Sequence, residues 1–199
     1  MKIKITLTEE LLGTASNNPD IHREFIASKA PNATGIEEEV AALGVEAVEQ
    51  KSMTVFPKKD GKPFVWDYQI KGFIKEAVGI LLELQGGEIK VGKTKLSKFT
   101  HKRMVDNYIF VSPRQIPING EMGDPCVRPL RADTMKGERV SLACSETVKA
   151  GATIECEIKT LSPALDELIA SCLDYGANKG LGQWRNSGKG RFTWQEVKA

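Results

Sequence analysis

Glycines interleaved with cations can hold a phosphate without any catalytic group. The run Gly180-Leu181-Gly182-Gln183-Trp184-Arg185-Asn186-Ser187-Gly188-Lys189-Gly190-Arg191-Phe192 has that composition. Glycine tolerates positive φ and close backbone approach, so main-chain N–H groups can converge on an anion. Lys179, Arg185, Lys189 and Arg191 add counter-charge, and Trp184 offers a stacking face for a base. The spacing is not the G-x-x-x-x-G-K-[ST] of a Walker loop. The plain alternative is a flexible surface loop with solvated charges. A second basic stretch, Lys90, Lys93, Lys95, Lys98, Lys102 and Arg103 with Phe99 among them, suits an RNA-clamping arm or, equally, a solvated loop or helix.

Groups able to make or break bonds are scarce. Cleaving RNA through its 2′-OH needs a proton acceptor and a proton donor, and histidine suits that work near pH 7. His22 and His101 are the only histidines. Each is a weak catalytic candidate, because a lone histidine is more often structural. The four cysteines, Cys126, Cys144, Cys156 and Cys172, show no C-x-x-C spacing, so no zinc site and no cofactor are expected. Cys144, Cys156 and Cys172 lie in apolar-patterned segments and read as reduced core residues. The net charge of +2 is too mild to argue nucleic-acid binding by itself, so an RNA site must come from local clustering.

The elements that would position these residues follow from hydrophobic period. With 41% hydrophobic and 27% charged residues among 199, the chain suits one soluble domain, 1–199, with insertions at about 14–56 and 88–135. Lys2 to Thr8 alternates and reads as a half-buried strand rather than a signal peptide. No apolar run approaches a membrane span, so a cytoplasmic location is expected. Helices are expected over Asp20–Ala30 and Glu37–Glu49, and a short strand over Met53–Phe56. Asp60-Gly61 marks a hairpin tip. A strong helix starts with Asp67 as N-cap and buries Ile70, Phe73, Ile74, Ala77, Val78, Leu81 and Leu82; Gly86-Gly87 ends it. Tyr108–Val111 is a strand, and Pro113–Asp133 a loop or hairpin. Val140–Ser145 and Ala152–Thr160 alternate and read as a hairpin or adjacent strands about the turn 149–151. Ser162-Pro163 starts a second helix, with Leu165, Leu168, Ile169, Cys172 and Leu173 as its stripe, and Gly176 ends it. Arg191–Val197 is the last strand. The order is βαββαβ with insertions, an α+β, ferredoxin-like or RRM-like antiparallel sheet with helices on one face. RNA-recognition modules use the open face of such a sheet, or the loops around it.

With the glycine run placed between the second helix and the last strand, the sequence resembles the RAMP superfamily of CRISPR-associated proteins, whose glycine-rich loop sits there and ends in Gly-Arg-Phe as Gly190-Arg191-Phe192 does. A second similarity is Asp60-Gly61-Lys62-Pro63-Phe64-Val65 followed by a helix carrying Lys71-Gly72; the family's Pro-Gly-Ser-Ser before Lys-Gly is replaced by Trp66-Asp67-Tyr68-Gln69. The resemblance covers about half the chain. It implies an effector backbone-type subunit that binds guide RNA (crRNA) along a filament, with copies of itself or other CRISPR effector subunits as partners, and no membrane. Lys71 and Lys75, one helical turn apart, would face the RNA backbone, as would the glycine loop. Arg128 and Arg131, near Pro125 and Pro129, would lie on a β-hairpin thumb. Target-cutting relatives use an aspartate after the first strand; Asp20 is nearest, in surroundings that do not match. Two alternatives stay open: a phage-encoded RAMP-like mimic that inhibits CRISPR effector assembly (an anti-CRISPR), and a metal-independent endoribonuclease using His22 or His101.

Overall fold

A computed structural model describes residues 1–17, 53–134 and 137–197. Asp20, His22 and the two helices expected between Asp20 and Glu49 lie outside the described residues. Among the described residues the fold is mixed α+β, built on almost wholly antiparallel sheets and three helices of eight residues or more.

β1 (Lys2–Leu7) alternates as its sequence requires, with Ile3, Ile5 and Leu7 buried and Lys2 exposed. It lies between β14 (Phe192–Glu196) and β13 (Thr153–Thr160), antiparallel to both. β13 pairs in turn with β9 (Ile109–Ser112) and β10 (Gln115–Asn119). β10 pairs with β6 (Lys62–Trp66), and β6 closes a hairpin with β5 (Lys58–Lys59). At that hairpin tip Asp60 and Gly61 both take positive φ, the geometry of a type I′ turn. These strands make one seven-stranded sheet.

α1 (Asp67–Leu84) follows β6 directly. Asp67 is its first residue rather than its N-cap; Trp66 holds the cap position, and its backbone N–H donates to Gln69 Oε1 at 2.8 Å. Ile70, Phe73, Ile74, Ala77, Val78 and Leu82 are buried, while Leu81 is half-buried. Gly86 and Gly87, both at positive φ, end the helix. α3 (Ala164–Asp174) buries the five residues its period picked out. Its cap differs: Pro163 precedes the first helical residue and no side chain caps it, although Leu165 N–H still donates to Ser162 O. One further helical turn, Gly176–Lys179, follows Tyr175, so the helical path ends at Gly180 rather than at Gly176. The two stripes pack on β1, β13 and β14 around Phe192, whose ring meets Phe73 edge-on at 5.3 Å. Each such fully buried large side chain is worth roughly 1.5–3 kcal/mol.

Two segments depart from expectation. The basic stretch is regular, not an irregular arm: β7 (Glu88–Val91) and β8 (Thr94–Ser97) form a separate hairpin, and α2 (His101–Tyr108) follows it. The region 113–148 is mostly strand. β11 (Met122–Thr134) and β12 (Gly137–Val148) form a long hairpin, so the segment read as loop or hairpin resolves into β10 and β11. Consequently Val140–Ser145 and Ala152–Thr160 are not hairpin partners. β12 pairs with β11, with β2 (Leu11–Leu12) and with β4 (Thr54–Val55), and β4 pairs with β3 (Ala15–Ser16). The turn 149–151 carries the chain from that second sheet into the first, where Gly151 N–H reaches Leu7 O. Alternation predicts strands but not which strand pairs with which, and the long register with β11 outcompetes a local hairpin.

Candidate nucleic-acid interface

Three groups of basic residues surround the helices. The first is the glycine loop. Gly180, Gly182, Gly188 and Gly190 all take positive φ. Their role here is close packing. At Gly190 a Cβ would fall 2.1 Å from Leu181 O, and at Gly176 one would fall 2.0 Å from the Phe192 ring. Some of the loop's amides are taken by its own backbone and by the β1–β2 turn: Leu181 N–H donates to Gly190 O, Gly188 N–H to Arg185 O, and Gly190 N–H to Glu10 O. The cations are tethered too. Lys179 Nζ lies 3.4 Å from Glu76 on α1, and Arg185 hydrogen-bonds the other carboxylate oxygen of Glu76. Lys189 pairs with Glu10 at 3.2 Å, and Arg191 Nε donates to Asn178 O at 3.2 Å. Partial burial alone would raise the Glu76 pKa, but the hydrogen bond and charge of Arg185, helped by Lys179, outweigh it and hold that carboxyl below its ordinary value.

The second group is on α1. Lys71 and Lys75 do share a face, and both turn to the C-terminal half of α2. Lys71 Nζ donates to Asp106 O at 2.8 Å and lies 5.4 Å from the Phe110 ring centre; Lys75 Nζ is 2.6 Å from the Asp106 carboxylate. The Lys75 hydrogen bond, with the charges of both lysines, lowers the Asp106 pKa.

The third group, on β7–β8–α2, keeps its charge free. Lys90, Lys93, Lys102 and Arg103 are exposed and, among the described residues, have no acidic partner. Lys95 and Lys98 make loose, exposed pairs with Glu88 and Glu83, which contribute little. Phe99, just after Lys98, is 97% exposed. An aromatic ring so fully in water can stack on a base, and exposed cations in the same unit can neutralise phosphates. His101 is not part of that surface. It is buried, its Nδ1 lies 2.9 Å from Lys98 O, and its Nε2 faces Gly79 of α1. The open face of the sheet is also no basic platform, since Lys4 pairs with Glu155 and Lys159 with Glu157.

A residue pair that sequence spacing did not single out joins the loop to the long hairpin. Arg128 on β11 is 93% buried by its 7% exposure, and its guanidinium lies 5.1 Å from the centre of the Trp184 ring. Arg128 Nη2 donates to Gln183 Oε1 at 3.0 Å, and Gln183 Nε2 donates to Gly13 O at 2.8 Å. Among the described residues, Nε and Nη1 have no partner. Trp184 takes left-handed φ, 53°, and is 41% exposed. Nothing in the sequence linked positions 128 and 184, which meet only through the fold. Arg131 belongs to the same strand, opposite Val140.

Among the described residues no cluster of His, Cys, Asp or Glu has metal-binding geometry, and no helix is long and apolar enough to cross a membrane. Cys156 and Cys172 are buried and their thiols are pushed up to about 12 by that burial; Cys126 and Cys144 are half-buried, and all four are free.

No protein-family model and no curated protein matches the sequence. Solved structures do. A chain of the Type III-B Cmr-beta complex bound to cognate target RNA superposes with a TM-score of 0.56 at 13% identity, covering 99% of this chain and 58% of that one. This chain thus spans little more than half the length of that relative. Looser likenesses are a chain of a Type IV-B CRISPR complex (TM-score 0.44, 10% identity, 100% and 92% covered) and Cmr6 from Pyrococcus furiosus (0.48, 10%, 97% of each). The chain thus shares the fold of that Cmr-beta chain, a RAMP-like fold as the sequence resemblance implied.

Proposed function

We propose that this protein is an RNA-binding RAMP-like subunit of the CRISPR effector backbone type, which holds guide RNA beside like subunits without cutting it. Its seven-stranded sheet we read as a ferredoxin-like βαββαβ unit within a single domain. The antiparallel order β14–β1–β13–β9, with α1 and α3 as its two helices, supports that reading. The observation that carries the RNA reading is that Lys90, Lys93, Lys102 and Arg103, exposed and without an acidic partner among the described residues, share the β7–β8–α2 unit with the solvated ring of Phe99. Lys71, Lys75 and the loop cations join this surface by exchanging their present carboxylate or carbonyl partners for phosphates, so each adds less affinity than an unpaired cation. The buried, backbone-tethered His101 supports a holding rather than a cutting role.

The test is direct. Single-stranded RNA binding, measured by fluorescence anisotropy from 50 to 300 mM salt, is expected to weaken log-linearly with salt. The endoribonuclease alternative predicts RNA cleavage in EDTA that is lost in His101→Ala or His22→Ala; intact RNA after prolonged incubation supports the non-catalytic reading. The anti-CRISPR alternative predicts that the protein blocks assembly of an effector complex instead of entering it.

A further inference from the structure

A buried guanidinium with two idle donors is an incomplete site. Arg128 is the one described residue whose buried side-chain nitrogens, Nε and Nη1, lack partners, and no described carboxylate pairs with it. Its remaining nitrogen is oriented by Gln183, which is itself fixed to the Gly13 carbonyl. The two idle donors of a planar, rigid fork match two oxygens of a phosphate. Over that fork lies the indole of Trp184, a half-exposed ring on a residue held at a φ that large side chains rarely adopt. Strain at a non-glycine residue beside an unsatisfied charge marks a place where structure is held for use.

We infer that Arg128, Gln183 and Trp184 form a nucleotide-binding site. Arg128 receives a phosphate on Nε and Nη1, and Trp184 is the movable cover that leaves the guanidinium and stacks on the adjoining base. The surroundings leave room for this motion: Trp184 sits at the start of the 3-10 turn Arg185–Ser187, among exposed and half-exposed residues, between Gly182 and Gly188, both at positive φ. The chemistry favours a nucleotide over an acidic peptide, because the ring beside the fork adds nothing for a carboxylate alone. The inference rests on the RNA-binding reading but concerns a different surface from the Phe99 patch.

The experiment uses the full chain with Trp66→Phe and Trp194→Phe, which leaves Trp184 as the only tryptophan. Its emission is followed while adding an adenylate RNA hexamer, adenosine monophosphate, inorganic phosphate or poly-glutamate. The hexamer and adenosine monophosphate are expected to quench Trp184, and Arg128→Met to abolish that quenching and weaken hexamer binding about tenfold or more. Should Arg128→Met not fold, Arg128→Lys keeps the charge without the fork and is expected to lose the quenching as well. Trp184→Gly is expected to melt higher than Trp184→Ala, because glycine relieves the positive φ, while both bind the hexamer equally weakly. If the hexamer binds with full salt dependence yet Trp184 emission is unchanged and Arg128→Met binds like the parent, the site is overturned and the RNA reading stands. If RNA does not bind but adenosine monophosphate still quenches through Arg128, the RNA reading fails and the site stands. Quenching by poly-glutamate with both nucleotide probes inert overturns the site in favour of a protein contact.

Discussion

The glycine loop and the β7–β8–α2 unit are both rich in lysine and arginine, and they use them oppositely. In the loop, Lys179 and Arg185 converge on Glu76, Lys189 is held by Glu10, and Arg191 is tied to a carbonyl. Those cations fasten the loop to α1 and to the β1–β2 turn. In β7–β8–α2, Lys90, Lys93, Lys102 and Arg103 have no acidic partner among the described residues. A charge already matched by a carboxylate releases no counterion when a phosphate arrives, unless the carboxylate is displaced first. The number of cations in a segment is therefore a poor guide to how much phosphate it will hold; the number left unpaired is a better one.

Several perturbations would break or sharpen this contrast. The largest effect is expected at two tightly packed glycines, Gly176 on the helical turn before the loop and Gly190 within it. Gly176→Ala or Gly190→Ala forces a Cβ into the Phe192 ring or the Leu181 carbonyl, which should cost about 3 kcal/mol or more and appear as a large loss in thermal melting. If either melts like the parent, the loop is looser than its packing indicates. Next, removing the four unpaired cations together (K90A, K93A, K102A, R103A) should lower RNA affinity by about a hundredfold at low salt and flatten the salt slope by about 3. The matching loop variant K179A/R185A should change affinity little and melting by a few degrees, since Glu76 then loses both its partners. Equal losses of affinity from the two sets would erase the distinction. Phe99→Ala should weaken RNA binding about tenfold with the salt slope unchanged, the signature of a lost stack.

Smaller effects follow from titration. Glu76 and Asp106 are held below their ordinary values in the folded chain. A lowered carboxylate contributes stability above its unfolded value and loses it as pH falls through the folded one. Melting temperature should thus decline below the ordinary carboxylate range, and less steeply in K75A, where Asp106 has lost its main partner. Cys156 and Cys172, buried with thiols near 12, should resist alkylation at pH 8 in the native state, leaving at most Cys126 and Cys144 to react.

Period and punctuation made much of the fold legible. The alternation of Ile3, Ile5 and Leu7, the stripes of α1 and α3, the Asp60-Gly61 tip and the Gly86-Gly87 stop all lie where their local chemistry put them. These features are decided within a few residues, by side-chain period and by which residues tolerate positive φ. Strand partnership was not legible, since β12 alternates equally well beside β11 or β13 and only the competition between registers chose. Of the candidate site, the residue types were readable and their free charge was not. Glu76 is over a hundred residues from Lys179 and Arg185, and Arg128 is more than fifty from Trp184. Sequence by itself determined where cations, aromatic rings and glycines stand along the chain; tertiary structure decided which cations were spent on carboxylates, which ring stood in water, and which guanidinium was left with donors to give. The physical reason is that local propensity acts along the chain, whereas electrostatic pairing and burial act through space.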